Sequence, residues 1–150
     1  MKKLVKIVLW ALAGVILLAV LGVGYLTIME YRPAAEEQAA LSGRADGVPG
    51  PGDTLSAVSF NIGYCGLPAE VDFFLDGGKT TGADSQAMIE RDLSGIIEAL
   101  AAQESDLTLL QEVDQNSRRS FSVDEAAALS GAIGGEAAFA RNFLCPFVPI

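Results

Sequence analysis

The chain has 150 residues, with ten Lys and Arg against nineteen Asp and Glu, a formal charge of −9 and no histidine. That balance argues against the clustered basic surface on which binders of long nucleic acids depend, and the lack of histidine removes the commonest general base. Apolar residues make up 51% of the chain, but the surplus is concentrated in one N-terminal segment.

Lys2, Lys3 and Lys6 form a basic flank over residues 1–6, and no residue from Ile7 to Met29 is charged. A helix of residues 7–29 would reach about 35 Å, enough to cross a hydrocarbon layer of about 30 Å with some tilt. A cleaved signal peptide has a shorter apolar region, and no small-x-small pattern directly follows Met29. Residues 7–29 are therefore predicted to be an uncleaved transmembrane signal anchor, with the lipid bilayer as partner. Lysines before the span, and Glu30, Arg32, Glu36 and Glu37 after it, place the N-terminus in the cytoplasm and the C-terminal domain outside it. Trp10 and Tyr25 or Tyr31 lie toward opposite ends, where amphipathic rings favour the interface.

Residues 30–52 are rich in Ala, Gly and Pro, end Val48-Pro-Gly-Pro-Gly52, and read as a flexible linker. A globular part is predicted over residues 53–150. In Leu55 to Tyr64, the large residues Val58, Phe60 and Ile62 alternate with Ala57, Ser59 and Asn61, the period of a strand. A loop from Cys65 to Asp84 contains Asp76-Gly-Gly-Lys79, either a tight turn or a place where backbone N–H groups and Lys79 meet phosphate. Ser85 is a candidate N-cap for an amphipathic helix running to about Gln103, with Met88, Ile89, Ile96, Ile97 and Leu100 on its apolar face.

Leu107, Leu109, Leu110 and Val113 make a second strand-length run that ends in a polar cluster of Gln111, Glu112, Asp114, Arg118 and Arg119. Strand, helix and strand in this order predict a right-handed crossover, so the strands are parallel and Asn61 and Glu112 share one end of the sheet. Next, Ser122-Val-Asp-Glu125 reads as a capping box for a short helix from Ala126 to Ile133, stopped by Gly134-Gly135. A third apolar segment, Ala137 to Val148, carries Phe139, Phe143, Phe147 and Val148, and Pro146 and Pro149 limit it to edge or bulge geometry. Cys65 and Cys145 are expected to be two unpaired, partly buried thiols.

An Asn and a Glu at adjacent strand ends can offer two hard oxygen ligands to one Mg²⁺, or to Mn²⁺. The plainer alternative is that Glu112 ends a strand and the arginines solvate a loop. Arg118 and Arg119 either touch substrate phosphate, which their forks suit, or pair with Asp114 or Asp124. Gln111 either orients Glu112 or caps the strand, and Asp114 is placed with it behind the ligands.

Ser59-Phe-Asn-Ile62 followed by Leu110-Gln-Glu-Val-Asp114 resembles the opening half of the endonuclease/exonuclease/phosphatase family, which includes Mg²⁺-dependent nucleases, inositol polyphosphate phosphatases and sphingomyelinases. The resemblance implies an α/β (α+β) fold, a two-layer β-sandwich flanked by helices, of which residues 53–150 would be a truncated N-terminal portion. It also implies that Asn61 and Glu112 hold Mg²⁺ and that the later half supplies a base. The later Gly-Asp-x-Asn and Ser-Asp-His type motifs are missing, and Asp114-Gln-Asn116 lies where the family does not place such a motif. A membrane-anchored phosphoesterase that binds Mg²⁺ weakly and turns over nothing in this form is the resulting expectation, with activity of an extended chain depending on Glu112.

Beyond Arg32 there are six Lys and Arg against eighteen Asp and Glu, a net of −12. This favours a small phosphoester or lipid headgroup as substrate over long DNA or RNA. No protein partner is predicted. The competing class is a non-catalytic single-pass membrane protein with a small α/β extracytoplasmic domain, in which Asn61 and Glu112 serve structure.

Overall fold

The computed structural model of the chain describes residues 2–45, 47–142 and 144. It is mixed α/β, with three helices and two two-stranded sheets among the described residues. Two compact units divide it, Met1–Gln38 with Ala140–Ile150, and Ala39–Phe139.

In the first unit, helix α1 (Lys2–Met29) runs unbroken for 28 residues. It buries none of its side chains and is long and apolar enough to span a membrane. Beyond α1, the Glu37 carboxylate accepts from the Tyr31 hydroxyl at 2.7 Å and from the Ala34 N–H at 2.9 Å, closing a local turn. The hydroxyl bond from Tyr31 holds the Glu37 carboxyl below its ordinary pKa.

The second unit is built on strand β2 (Ala57–Asn61), helix α2 (Gln86–Ala101) and strand β3 (Leu107–Gln111), preceded by strand β1 (Leu41–Gly43). Strands β2 and β3 are parallel, in register from Ala57↔Leu107 to Asn61↔Gln111, as the crossover requires. Helix α2 starts where Ser85 predicts, its hydroxyl accepting the Met88 N–H at 3.3 Å. The amino ends of both strands are tied by Asp106, whose carboxylate accepts from the Ser56 N–H at 2.8 Å and hydroxyl at 2.7 Å. These bonds hold its pKa below the ordinary value.

Ile89, Leu93 and Leu100 of α2 form the core with Ile62, Cys65 and Leu129, and Val58, Leu110 and Val113 pack against it. Paired residues of a parallel ladder share a face. Val58 and Leu110 therefore mark the covered face, and Ser59, Leu109, Asn61 and Gln111 lie on the open one. Phe60 belongs to the covered side by register, yet remains 43% exposed, because the core beneath it is small.

Helix α3 (Glu125–Ile133) and strand β4 (Glu136–Ala138) complete the unit. The stop at Gly134-Gly135 is as expected, with Gly134 at φ +81 closing on the Ser130 carbonyl. The start of α3 differs. Its N-cap is Asp124, whose carboxylate accepts the Ala127 N–H at 2.9 Å, while Ser122 sits at φ +61 with its N–H on the Ser117 carbonyl. Glu125 is drawn into the interior and does not reach back, so the capping-box reading fails.

Two further expectations are corrected. Within the segment predicted as linker, Leu41–Gly43 pairs antiparallel with Glu136–Ala138, in register from Leu41↔Ala138 to Gly43↔Glu136. Gly43 is at φ +75, and a Cβ there would collide with the Gly135 carbonyl, so its glycine serves a close strand crossing rather than looseness. Of the apolar segment predicted over Ala137 to Val148, the described residues are strand only in β4, Glu136–Ala138, which pairs with β1. Phe143, Cys145, Phe147 and Val148 of the predicted third segment lie outside the described residues.

Candidate functional site

The carboxyl ends of β2 and β3 are joined past the last paired residues. The Ile62 N–H donates to the Gln111 carbonyl at 3.0 Å, and the Tyr64 N–H to the Glu112 carbonyl at 2.8 Å. Strand alternation puts Asn61 and Gln111 on one face and would send Glu112 to the other. Glu112 instead adopts φ +55, the left-handed region, and the alternation breaks. Its Oε1 accepts from Asn61 Nδ2 at 2.8 Å, and Asn61 Oδ1 accepts from the Gly63 N–H at 2.9 Å. Both side chains are exposed. Left-handed backbone costs a non-glycine residue about 1–2 kcal/mol, and such strain clusters at functional sites.

A second cluster lies beside this pair. Asp114 takes a two-pronged grip from Arg119, Nε to Oδ2 and Nη2 to Oδ1, both at 2.9 Å. The Arg119 guanidinium carbon stands 3.9 Å from the centroid of the Tyr64 ring, a cation–π contact. Tyr64 is itself in the left-handed region, at φ +46, and a Cβ on Gly66 would strike its ring. Burial raises the pKa of the Tyr64 hydroxyl, against the opposing effect of the neighbouring Arg119.

Glu125 closes this cluster from below and is fully buried. Its Oε2 accepts from the Asp114 N–H at 2.8 Å, and its own N–H donates to the Asp114 carbonyl at 3.1 Å. Among the described residues its Oε1 has no hydrogen-bond partner. Burial pushes the Glu125 carboxyl up to about 7. The buried Cys65 thiol neighbours it and is pushed up to about 12, first by burial and then by the Glu125 charge. A thiol so raised is inert packing rather than a nucleophile.

The predicted site residues thus divide. Asn61 and Glu112 meet directly, whereas Asp114 and Arg119 pair with each other, which is the ion-pair alternative for Arg119. The Gln111 side chain makes no hydrogen bond to Glu112. Its amide donates to Ser59 Oγ at 3.2 Å and to the Leu109 carbonyl at 3.3 Å, lying across the open sheet face. Arg118 is exposed and lends its carbonyl to the Phe121 N–H. Lys79 lies in a turn whose N–H groups at Lys79 and Thr80 both donate to the Asp72 carbonyl, at 2.9 Å each. A Cβ on Gly78 would collide with that carbonyl, so the Gly-Gly turn is there to fold tightly.

Tyr64 and Glu125 were not foreseen as parts of this region. Tyr64 follows the strand in sequence without polar company, and Glu125 carries the spacing of a capping box, so each has a local explanation that conceals its tertiary one.

Asn61 turns its amide nitrogen toward Glu112 and its Oδ1 is taken by the Gly63 N–H, so the bonded pair leaves one Glu112 oxygen free for a divalent cation, and Asn61 Oδ1 would join it only with the amide turned over. Among the described residues no three His, Cys, Asp or Glu side chains converge on a metal position. This donor set fits Mg²⁺ only as a water-rich site of two protein ligands, a mode Mg²⁺ uses when substrate phosphate completes its octahedron. No family model, curated protein or solved structure matches the chain.

Proposed function

We propose that the chain carries the metal-holding part of a membrane-anchored, Mg²⁺- or Mn²⁺-dependent phosphoesterase of the endonuclease/exonuclease/phosphatase type. The observation that carries this reading is the Asn61–Glu112 contact at the carboxyl ends of parallel strands, where open α/β sheets place their ligands. In this reading β2, β3 and α2 are the first part of the family's two-layer sandwich. Helix α1 anchors the chain with its lysines in the cytoplasm and the remainder outside.

In this reading Glu112 and Asn61 are the ligands, with the Asn61 amide turned so that Oδ1 rather than Nδ2 lies toward Glu112 and the Gly63 N–H is released. When bound, the metal would neutralise phosphoryl oxygens and orient an attacking water. Arg119 has its charge committed to Asp114 and is a positioning group, so Lys79 and Arg118 are the remaining candidates for substrate phosphate. Glu125 has a base-like pKa near 7 but is sealed in the interior, out of reach of a substrate. These residues therefore provide ligands and positioning rather than proton transfer. The net of −12 beyond Arg32 favours a small phosphoester or a lipid headgroup.

The test is Mn²⁺ titration of the full chain followed by electron paramagnetic resonance, with and without inorganic phosphate, against Glu112→Gln. The native chain is expected to bind Mn²⁺ more tightly when phosphate is present, and Glu112→Gln to bind it at least tenfold more weakly. Equal binding by both proteins would favour the competing reading, in which Asn61, Glu112 and Gly63 form a self-satisfied clasp in a non-catalytic membrane protein.

A further inference from the structure

Helix α1 presents an organised cationic face at its N-terminal end. At 3.6 residues per turn, Lys2, Lys3 and Lys6 fall within about 100° of one another around the axis, and Trp10, one turn beyond Lys6, falls in the same sector. Lys6, Leu9, Trp10 and Ala13 line one shallow, open groove, so the last lysine and the indole flank a common space. Along the axis Lys2, Lys6 and Trp10 follow one another at intervals of about 6 Å. With Trp10 at the interface, the three amines stand at headgroup height above it.

Charge on this face is uncompensated from within. The first acidic residue in the sequence is Glu30, at the far end of the apolar span, and the first turn of α1 contains no acid. Among the described residues the ion pairs involve Arg32, Arg91 and Arg119, and none involves these lysines. The helix end adds its own partial positive charge, so the lysines raise a potential that the fold leaves standing. A zwitterionic headgroup carries a cation beside its phosphate and cannot neutralise three amines; an anionic one can.

We infer that Lys2, Lys3, Lys6 and Trp10 form a binding face for anionic phospholipid headgroups, which gather around α1 in the leaflet that holds its N-terminus. Lysine amines donate to headgroup phosphates, and the indole N–H of Trp10 donates at the carbonyl level below. The inference rests on α1 being a membrane anchor, and the experiment separates the two.

Trp10 is the only tryptophan in the chain, so its fluorescence reports this face alone. The full chain is reconstituted in phosphatidylcholine vesicles containing a fixed fraction of lipid brominated in the upper acyl chain, carried either by phosphatidylcholine or by phosphatidylglycerol. Both should quench Trp10. The brominated phosphatidylglycerol should be enriched at the face on the order of threefold, an enrichment lost at high salt. It should also vanish in the triple variant Lys2→Gln, Lys3→Gln, Lys6→Gln, while quenching by brominated phosphatidylcholine persists and certifies insertion. Equal quenching by the two lipids in the native chain overturns the lipid face and leaves the anchor standing. Enrichment that survives in the triple variant overturns the role of the lysines. Absence of quenching by either lipid overturns anchor and face together.

Discussion

Glu112 joins a polar role to an unfavourable backbone, and the two can be separated by substitution. In most positions glycine is less stable than alanine by about 0.5–1 kcal/mol, because it loses more chain entropy on folding. At φ +55 the order should invert. Glu112→Gly and Glu112→Ala both remove the carboxylate and its bond to Asn61, but only alanine retains a Cβ that crowds the left-handed turn. Glycine is expected to be the more stable of the two by about 1 kcal/mol in chemical denaturation. The ordinary order would mean that the turn is not strained. Glu125 makes a second case at this scale. Its carboxyl, near 4.5 when unfolded, stands at about 7 in the folded chain, with burial the main cause and Asp114, Arg119 and Cys65 facing it. Between those values the folded state keeps a proton that the unfolded state has released. The contribution is therefore complete below pH 4.5 and is lost as pH rises through 7, by at most a few kcal/mol. Glu37, Glu70 and Asp106 have lowered values and act below 4.5, leaving this window to Glu125. Thermal unfolding of the native chain should fall across the window, and Glu125→Gln should flatten it; parallel curves would remove Glu125 as the cause.

Elements were legible where one local signal and one tertiary demand agreed. Ser85 begins α2 because its hydroxyl meets an orphan N–H and because the next residues already carry the apolar face that the core needs. The parallel β2–β3 pair followed from connectivity alone, and so did the common end of Asn61 and Glu112. Local signals misled where a distant contact overrode them. Ser122 and Glu125 have capping-box spacing, yet a bond to the Asp114 N–H and burial draw Glu125 inward, and Asp124 caps instead. Gly43 looks like linker composition until Gly135, ninety-odd positions away, needs a neighbour without a Cβ. The Asn61–Glu112 contact was foreseen as proximity, but the left-handed turn that achieves it carries no mark in the residue type, since Glu is not a residue that favours such backbone. Tyr64 stacked under Arg119 is likewise invisible to pattern, because its partner lies on the other strand's loop.

At the scale of the whole molecule, the decisive question is what α1 does with a surface on which no side chain is buried. A helix apolar on all sides is stable in water only if something covers it, and a bilayer is the cover that its length suits. The orientation we propose rests on charge: three lysines stand before the span, and the acidic excess stands after it. If the lysines lie in the cytoplasm, everything past Arg32 would lie on the opposite side. Protease added to intact cells or spheroplasts carrying the protein with an N-terminal epitope should remove the part beyond Arg32 and leave a protected tagged fragment of about thirty residues, the length of a spanning helix and its flank. Full protection until lysis would invert the orientation. Recovery of the C-terminal part in the soluble fraction, with a new N-terminus near Met29, would identify α1 as a cleaved signal peptide and remove the anchor altogether. The protease experiment thus separates the three fates open to an apolar helix at this position. Only the first of them keeps the Asn61–Glu112 site on the far side of the membrane while its lysines stay within reach of cytoplasmic lipid.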